Sequence, residues 1–194
     1  FLDQTSLPLE EVYIETSDLS ILCDAICTLK VRGAPLLGIA AAYGILLGTQ
    51  SGKKSSKEIF IRLFEESAKS IFSTRPTAKN LSWALERMRN VFRLNLNHSQ
   101  KTLFDKLESE AISIHNEDRL MCDCIGKYGA ELIPDAAIIV THCNTGELAT
   151  GGIGTAFGVL LTAHKSGNNI YVYVGETRPL LQGARLTMWE LRKA

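Results

Sequence analysis

The sequence predicts an α/β chain in two parts: a helical amino-terminal domain over residues 1–130, then the first βαβ unit of a parallel-sheet domain over residues 131–194. Three observations carry this. Apolar residues recur at three- and four-residue spacing in successive segments before residue 130. After it, two short β-branched runs flank one apolar helix. Two parallel strands with one crossover helix make an incomplete sheet, because parallel sheets need both faces covered, so the second domain reads as truncated.

Val12-Tyr13-Ile14 alternates apolar and polar faces and reads as a short strand. Thr16, Ser17 and Asp18 offer capping oxygens, and Leu19, Leu22, Ile26 and Leu29 follow at helical spacing. Gly33 and Pro35 end that helix. Leu36 to Leu47 is apolar on every side and rich in Ala and Gly, the pattern of a buried helix that other backbones approach closely. Ser51 to Ser56 is a polar connection. Phe60, Leu63, Phe64, Ala68 and Ile71 trace an amphipathic helix that must stop at Thr74-Arg75-Pro76-Thr77, since the residue before a proline is pushed out of the helical region. Leu81, Ala84, Leu85 and Met88 mark the next. Leu103, Leu107, Ala111, Ile114 and Met121 mark a longer one that ends near Gly126 to Gly129.

Ala136 to Thr141 is then expected as a fully buried parallel strand. A Gly-rich turn and a helix over roughly 152–165 lead to Ser166-Gly167-Asn168-Asn169 and a second buried strand, Ile170 to Val174. Chirality makes this βαβ unit right-handed, and it reads as the opening of a Rossmann-like parallel-sheet domain. A further helix, Leu186 to Lys193, runs to the end of the sequence.

The bulk properties narrow the function. With 21 basic and 21 acidic residues, the chain has no electrostatic signature of nucleic-acid binding. The apolar run Ala34 to Leu47 is too short for a membrane span. The opening Phe1-Leu2-Asp3-Gln4 is no signal peptide, and a start on Phe reads as a chain without its natural beginning. Cys23, Cys27, Cys122, Cys124 and Cys143 are an odd set with no CxxC pair, which fits a reducing cytoplasm and gives no zinc site. Cys23 and Cys27 share a helix face and read as small buried apolar residues.

Three loops carry candidate chemistry. In Val31-Arg32-Gly33-Ala34-Pro35 an arginine stands just before a helix start, where backbone N–H groups attract anions and a guanidinium binds phosphate in a fork. The plainer reading is a capping glycine beside a surface arginine. Thr141-His142-Cys143-Asn144-Thr145-Gly146 follows the first strand, and ligands of open α/β sheets bind beyond the carboxyl ends of strands. Cys143 is there either a tuned thiol or a buried one. Glu176 to Arg185 leaves the same sheet edge after the second strand; its arginines read as ligands, as solvated side chains or as ion pairs, and Gln182 as a ligand or a helix cap. Gly152-x-Gly154-x-x-x-Gly158 looks like a dinucleotide fingerprint, but it lies some ten residues beyond the strand and its last glycine is one place late. No nucleotide, metal or other cofactor is expected.

These loops resemble one family. Val31-Arg32-Gly33-Ala34-Pro35 with Gly38-Ile39-Ala40-Ala41-Ala42-Tyr43-Gly44 matches its first signature, and Thr74-Arg75-Pro76-Thr77-Ala78 with Asn80-Leu81 its second. The third is Thr141-His142-Cys143-Asn144-x-Gly146-x-Leu148-Ala149-Thr150 with Gly154-Thr155-Ala156, and the fourth runs from Glu176 to Thr187. Leu36, Leu37, Thr145, Glu147, Ile153 and Gly175 depart from the pattern. The chain resembles the amino-terminal half of the methylthioribose-1-phosphate isomerase family, which is related to the regulatory subunits of initiation factor 2B and to ribose-1,5-bisphosphate isomerase. The translation-factor relatives do not usually keep the cysteine of the third motif or Leu-Leu-Gln-Gly-Ala-Arg of the fourth.

The resemblance implies an aldose–ketose isomerase of methionine salvage, cytoplasmic and without a cofactor. It acts on a small sugar phosphate, with no nucleic acid or membrane partner, and pairs as a homodimer when full length. It implies that Arg32, Gly33 and Ala34 bind substrate through its phosphate, that Arg75 and Gln182 also contact substrate, and that Cys143 is a catalytic residue. The family's other catalytic residue, an aspartate, belongs to a later segment that no part of residues 1–194 matches, so this chain alone is expected to be inactive.

Overall fold

A computed structural model describes all residues from Phe1 to Ala194. The chain packs as two units, one formed by Phe1 with Ile14–Asn116 and the other by Leu2–Tyr13 with Glu117–Ala194. The helices and strands in order are α1 (Leu19–Cys27), α2 (Ala34–Thr49), α3 (Lys57–Thr74), α4 (Lys79–Leu94), α5 (Gln100–Ala130), β1 (Ile138–Thr141), α6 (Ala156–Lys165), β2 (Tyr171–Val174) and α7 (Met188–Lys193). The architecture is a helix-rich α/β one with a small parallel sheet.

The first unit is built round α2, which packs on α4, α3 and α1. Its faces are all apolar because it has neighbours on several sides, and Leu37 through Ala42 are buried without a break. Together with the one-turn 3₁₀ extension to Lys54, this segment reaches the length and apolar content of a membrane span, longer than the run read from sequence, yet more than half of it is buried inside the fold. Phe64 and Phe92 stack across α3 and α4 with ring centroids 3.9 Å apart, and Phe60 stacks beyond them.

The local signals explain the boundaries. Asp18 caps α1 by accepting the Ser20 N–H at 2.7 Å, and Ser56 caps α3. Leu29, taken from its spacing as part of α1, lies outside it in the left-handed region at φ 65°. The helix ends at Cys27 because the chain reverses at left-handed Leu29, whose N–H turns back to the Ile26 carbonyl while the Val31 N–H reaches the Ala25 carbonyl. Val12-Tyr13-Ile14 forms only an isolated bridge, Tyr13 with Leu2. Cys27 is exposed rather than buried, since it sits on the last turn of α1.

In the second unit, β1 and β2 pair in parallel with Thr141 opposite Val174. The strands differ from expectation in burial. Ile138 and Val140 are 72% and 77% exposed, and Tyr171 and Tyr173 share that open face. A β-branched run reads as buried on both sides, but burial depends on what packs against the sheet. Here α6 and α7 both lie on one face, enclosing with Val172 a small cavity of about 170 Å³. The unit boundary falls inside α5, between Asn116 and Glu117, because the last turns of that helix pack on α6: Gly126 and Gly129 have no room for a side chain against Thr162 and Val159.

Candidate active site

In the helical unit, Gly33 precedes α2 at φ 106°, a conformation only glycine takes without strain, and Pro35 sits in the first turn where no N–H is needed. This fixes a sharp entry into α2, whose uncapped amino end carries partial positive charge. Arg32 is half-buried and Ala34 exposed. Arg75 ends α3 in a non-helical conformation, and its carbonyl accepts the Ala78 N–H to turn the chain into α4. The two segments lie at one end of the unit. A side chain on Gly38 would meet the Asn80 carbonyl at 3.0 Å, and the Cys27 thiol lies 3.9 Å from the Thr74 carbonyl. The family's first and second motifs thus share one end of the helical unit.

In the other unit, parallel pairing brings the carboxyl ends of β1 and β2 side by side. Cys143 leaves β1 two residues past its end, half-buried, at φ 64°. Left-handed backbone at a residue other than glycine costs of the order of 1–3 kcal/mol and persists where the surroundings impose it. Two hydroxyls impose it here. The Cys143 N–H donates to Thr177 Oγ1 at 2.8 Å, and Thr187 Oγ1 donates to the Cys143 carbonyl at 2.6 Å. Thr177 is itself left-handed at φ 62°. The fourth motif therefore grips the third from both sides of the cysteine. His142 points out to solvent.

Gln182 opens a π-helical turn, Gly183–Thr187, that leads into α7. Such turns concentrate at functional sites. Its Oε1 is buried without a hydrogen-bond partner, a costly state for an amide that a ligand donor would relieve. The arginines of this loop have structural partners. Arg178 pairs with Glu176 at 3.1 Å on the surface, and Arg185 donates to the carbonyls of Leu180, Gln4 and Leu7. The glycines of the fingerprint-like run are structural as well: Gly154 turns at φ 90° against the Gly146 backbone, and Gly158 packs on Ile153. No three His, Cys, Asp or Glu side chains gather as a metal ion would require.

Sequence reading missed Thr177, Thr187 and Glu190. Glu190 is buried in α7 and accepts the Leu148 N–H at 3.0 Å and the Asn144 side-chain amide. Burial pushes its pKa up, and these donors oppose the shift. The available signal was Thr187-x-x-Glu190, two polar residues one helical turn apart among Leu186 and Trp189.

A helical unit and a parallel-sheet unit, each with its motif loops gathered at one edge, define a helix-rich α/β protein. The sequence matches the initiation factor 2 subunit family over residues 30–194, and the chain belongs to that family. It is 48% identical over 192 residues to a methylthioribose-1-phosphate isomerase of Geobacter metallireducens, covering 99% of this chain and 56% of that protein. It is 51% identical over 190 residues to one of Heliobacterium modesticaldum, covering 98% and 55%. The chain thus spans about half the length of the curated relatives it matches. Among solved structures, 5-methylthioribose 1-phosphate isomerase from Pyrococcus horikoshii superposes with a TM-score of 0.93 at 37% identity, over 99% of this chain and 54% of that one. Translation initiation factor eIF-2B subunit delta from A. fulgidus superposes with a TM-score of 0.89 at 40% identity, over 100% and 56%.

Proposed function

We propose that this chain is the amino-terminal part of an aldose–ketose isomerase that converts 5-methylthioribose 1-phosphate to 5-methylthioribulose 1-phosphate. The observation that carries the reading is Cys143, held in left-handed backbone at the exit of β1 by hydroxyls from the neighbouring loop and helix turn. The names of relatives at 48–51% identity support it. In this reading Arg32 and the amino end of α2, with Gly33 and Ala34, hold the phosphate. Arg75 is a second polar contact, and Gln182 turns its buried amide oxygen to a substrate hydroxyl.

A phosphate on the anomeric oxygen blocks ordinary opening to a free aldehyde, so the enzyme must drive ring opening and move hydrogen between C2 and C1. Cys143 either shuttles a proton in an enediol route or stabilises charge during a hydride shift. The partner acid, an aspartate, comes from sequence beyond residues 1–194. We also read β1, α6 and β2 as the opening of a Rossmann-like sheet, and the full-length protein as a cytoplasmic homodimer.

A second reading, a non-catalytic regulatory module, is favoured by the likeness to the A. fulgidus translation factor subunit. One experiment separates the two. The full reading frame is given 5-methylthioribose 1-phosphate, and product is followed by ³¹P NMR, beside a Cys143→Ala variant. Ketose phosphate from the unaltered protein and none above background from the variant supports the isomerase. A folded, unaltered protein that forms no ketose rules it out.

A further inference from the structure

The proposed isomerase chemistry gives no part to the buried carboxylate of Glu190. Glu190 is 5% exposed in the interior of the α/β unit. The turn from Asn144 to Leu148 wraps round it. One carboxylate oxygen takes the Leu148 N–H, the other takes the Asn144 amide, and Gly146 lies so close that any side chain there would collide with the carboxylate. An ion held away from water is costly, and an apolar side chain of similar size would fill the space without that cost. What the carboxylate adds is direction: it fixes two donors of one short turn.

That turn begins at Cys143. Asn144, the next residue, also reaches Thr187 Oγ1 at 3.4 Å, and the same hydroxyl donates to the Cys143 carbonyl. Thr187 and Glu190 stand one helical turn apart at the start of α7. The start of α7 thus holds the Cys143 carbonyl through Thr187 and the Asn144 side-chain amide through Thr187 and Glu190, while Thr177 holds the Cys143 N–H. Gln4 ties down the far end of the turn through the Leu148 carbonyl at 2.6 Å.

We propose that Glu190 is a positioning residue for Cys143: by anchoring the turn 144–148 it sets the direction in which the thiol leaves the end of β1. The proposal rests on the isomerase reading for its functional meaning. Glu190 itself touches no substrate.

Glu190→Gln keeps the size of the side chain and removes one of its two acceptors. In the full reading frame, kcat for 5-methylthioribose 1-phosphate is expected to fall by about tenfold or more with KM held within about twofold, because a misdirected reacting group costs rate rather than binding. Turnover is not the only readout. The rate at which iodoacetamide alkylates Cys143, normalised by peptide mass spectrometry to exposed Cys27 in the same sample, is expected to change by about threefold or more, and its pH profile to move. A purely structural Glu190 would lower the melting temperature and leave the kcat-to-KM split and the normalised profile alone. The proposal is overturned if kcat and the Cys143-to-Cys27 ratio both stay within about twofold of the unaltered protein. If Glu190→Gln does not fold, Asn144→Ala removes the same link from its other end and carries the same expectations. If the unaltered protein forms no ketose, the isomerase reading fails, and the alkylation ratio decides the positioning claim by itself.

Discussion

Gly183→Ala separates two physical effects of opposite sign. Gly183 begins the π-helical turn before α7. On helix propensity alone, alanine there would stabilise the chain by about 0.5–1 kcal/mol. Packing predicts the reverse. A Cβ on Gly183 would fall inside the carbonyl oxygen of Gly175, with the Gly175 carbonyl carbon at 3.0 Å and Val174 Cγ1 at 3.2 Å. The obstacle is backbone at the end of β2, not the tip of a flexible side chain. Restoring ordinary contact of about 3.5 Å requires the turn and the strand end to part by more than about 1 Å. The bond from the Ala184 N–H to the Glu176 carbonyl, already 3.4 Å long, goes first, and the Cys143–Thr177 bond goes next. Two lost hydrogen bonds at about 1 kcal/mol each, plus about 1–3 kcal/mol of overpacking, outweigh the propensity gain and leave a net loss of about 2–4 kcal/mol. Trp189 reports on this unit, so urea unfolding is followed by its fluorescence in a Trp83→Phe background, where a midpoint shift of about 1–2 M is expected. Gly167→Ala is the control: at φ 100° in open space it meets nothing and loses only about 1–2 kcal/mol to left-handed backbone. A Gly183→Ala protein as stable as its parent would refute the packing argument.

Two further outcomes follow from the buried groups. Phe92→Ala removes a ring that is 3% exposed and stacked on Phe64, and is expected to cost about 3–5 kcal/mol, read as a lower thermal midpoint of the helical unit; a loss under about 1 kcal/mol would mean that this stack is not part of the rigid core. Glu190 holds its proton more tightly folded than unfolded, where its pKa is ordinary at 4.5, because burial raises the folded value and nearby Glu147 adds to the rise. From 4.5 up to that raised value the folded chain binds more protons, so stability falls as pH rises through the window and the penalty is complete above it. The unaltered protein is therefore expected to gain stability relative to Glu190→Gln as pH is lowered from 8 towards 5, measured by paired denaturation curves; a difference independent of pH would contradict it.

Helix boundaries are legible in the sequence where they have a local cause, and the end of α1, which the spacing of Leu29 obscures, is not. Asp18 caps α1 through its own side chain, and Thr74-Arg75-Pro76 stops α3 through a steric rule confined to two residues. The strands were legible in place but not in burial, because Ile138 and Val140 carry the same β-branched pattern whether or not anything covers them. The candidate site divides along the same line. Arg32, Cys143 and Gln182 lie in loops that interrupt regular elements and stand out from the pattern around them, whereas Arg75 is a candidate only through the family resemblance. The groups that hold Cys143 were hidden for the opposite reason. Thr187 and Glu190 lie where the pattern reads as an ordinary helix, and nothing local distinguishes an acid that faces solvent from one that a turn forty residues earlier wraps round. Left-handed backbone at Cys143 and Thr177 was hidden too, since neither is a residue type that favours it; it follows from hydrogen bonds made across 34 and 44 positions of chain. The chemistry of the site is thus written locally and its geometry is not, so substitutions at the unremarkable helix positions Thr187 and Glu190 test the site more sharply than substitutions at the surface arginine Arg178 of the conspicuous fourth motif, which is paired to Glu176 in solvent.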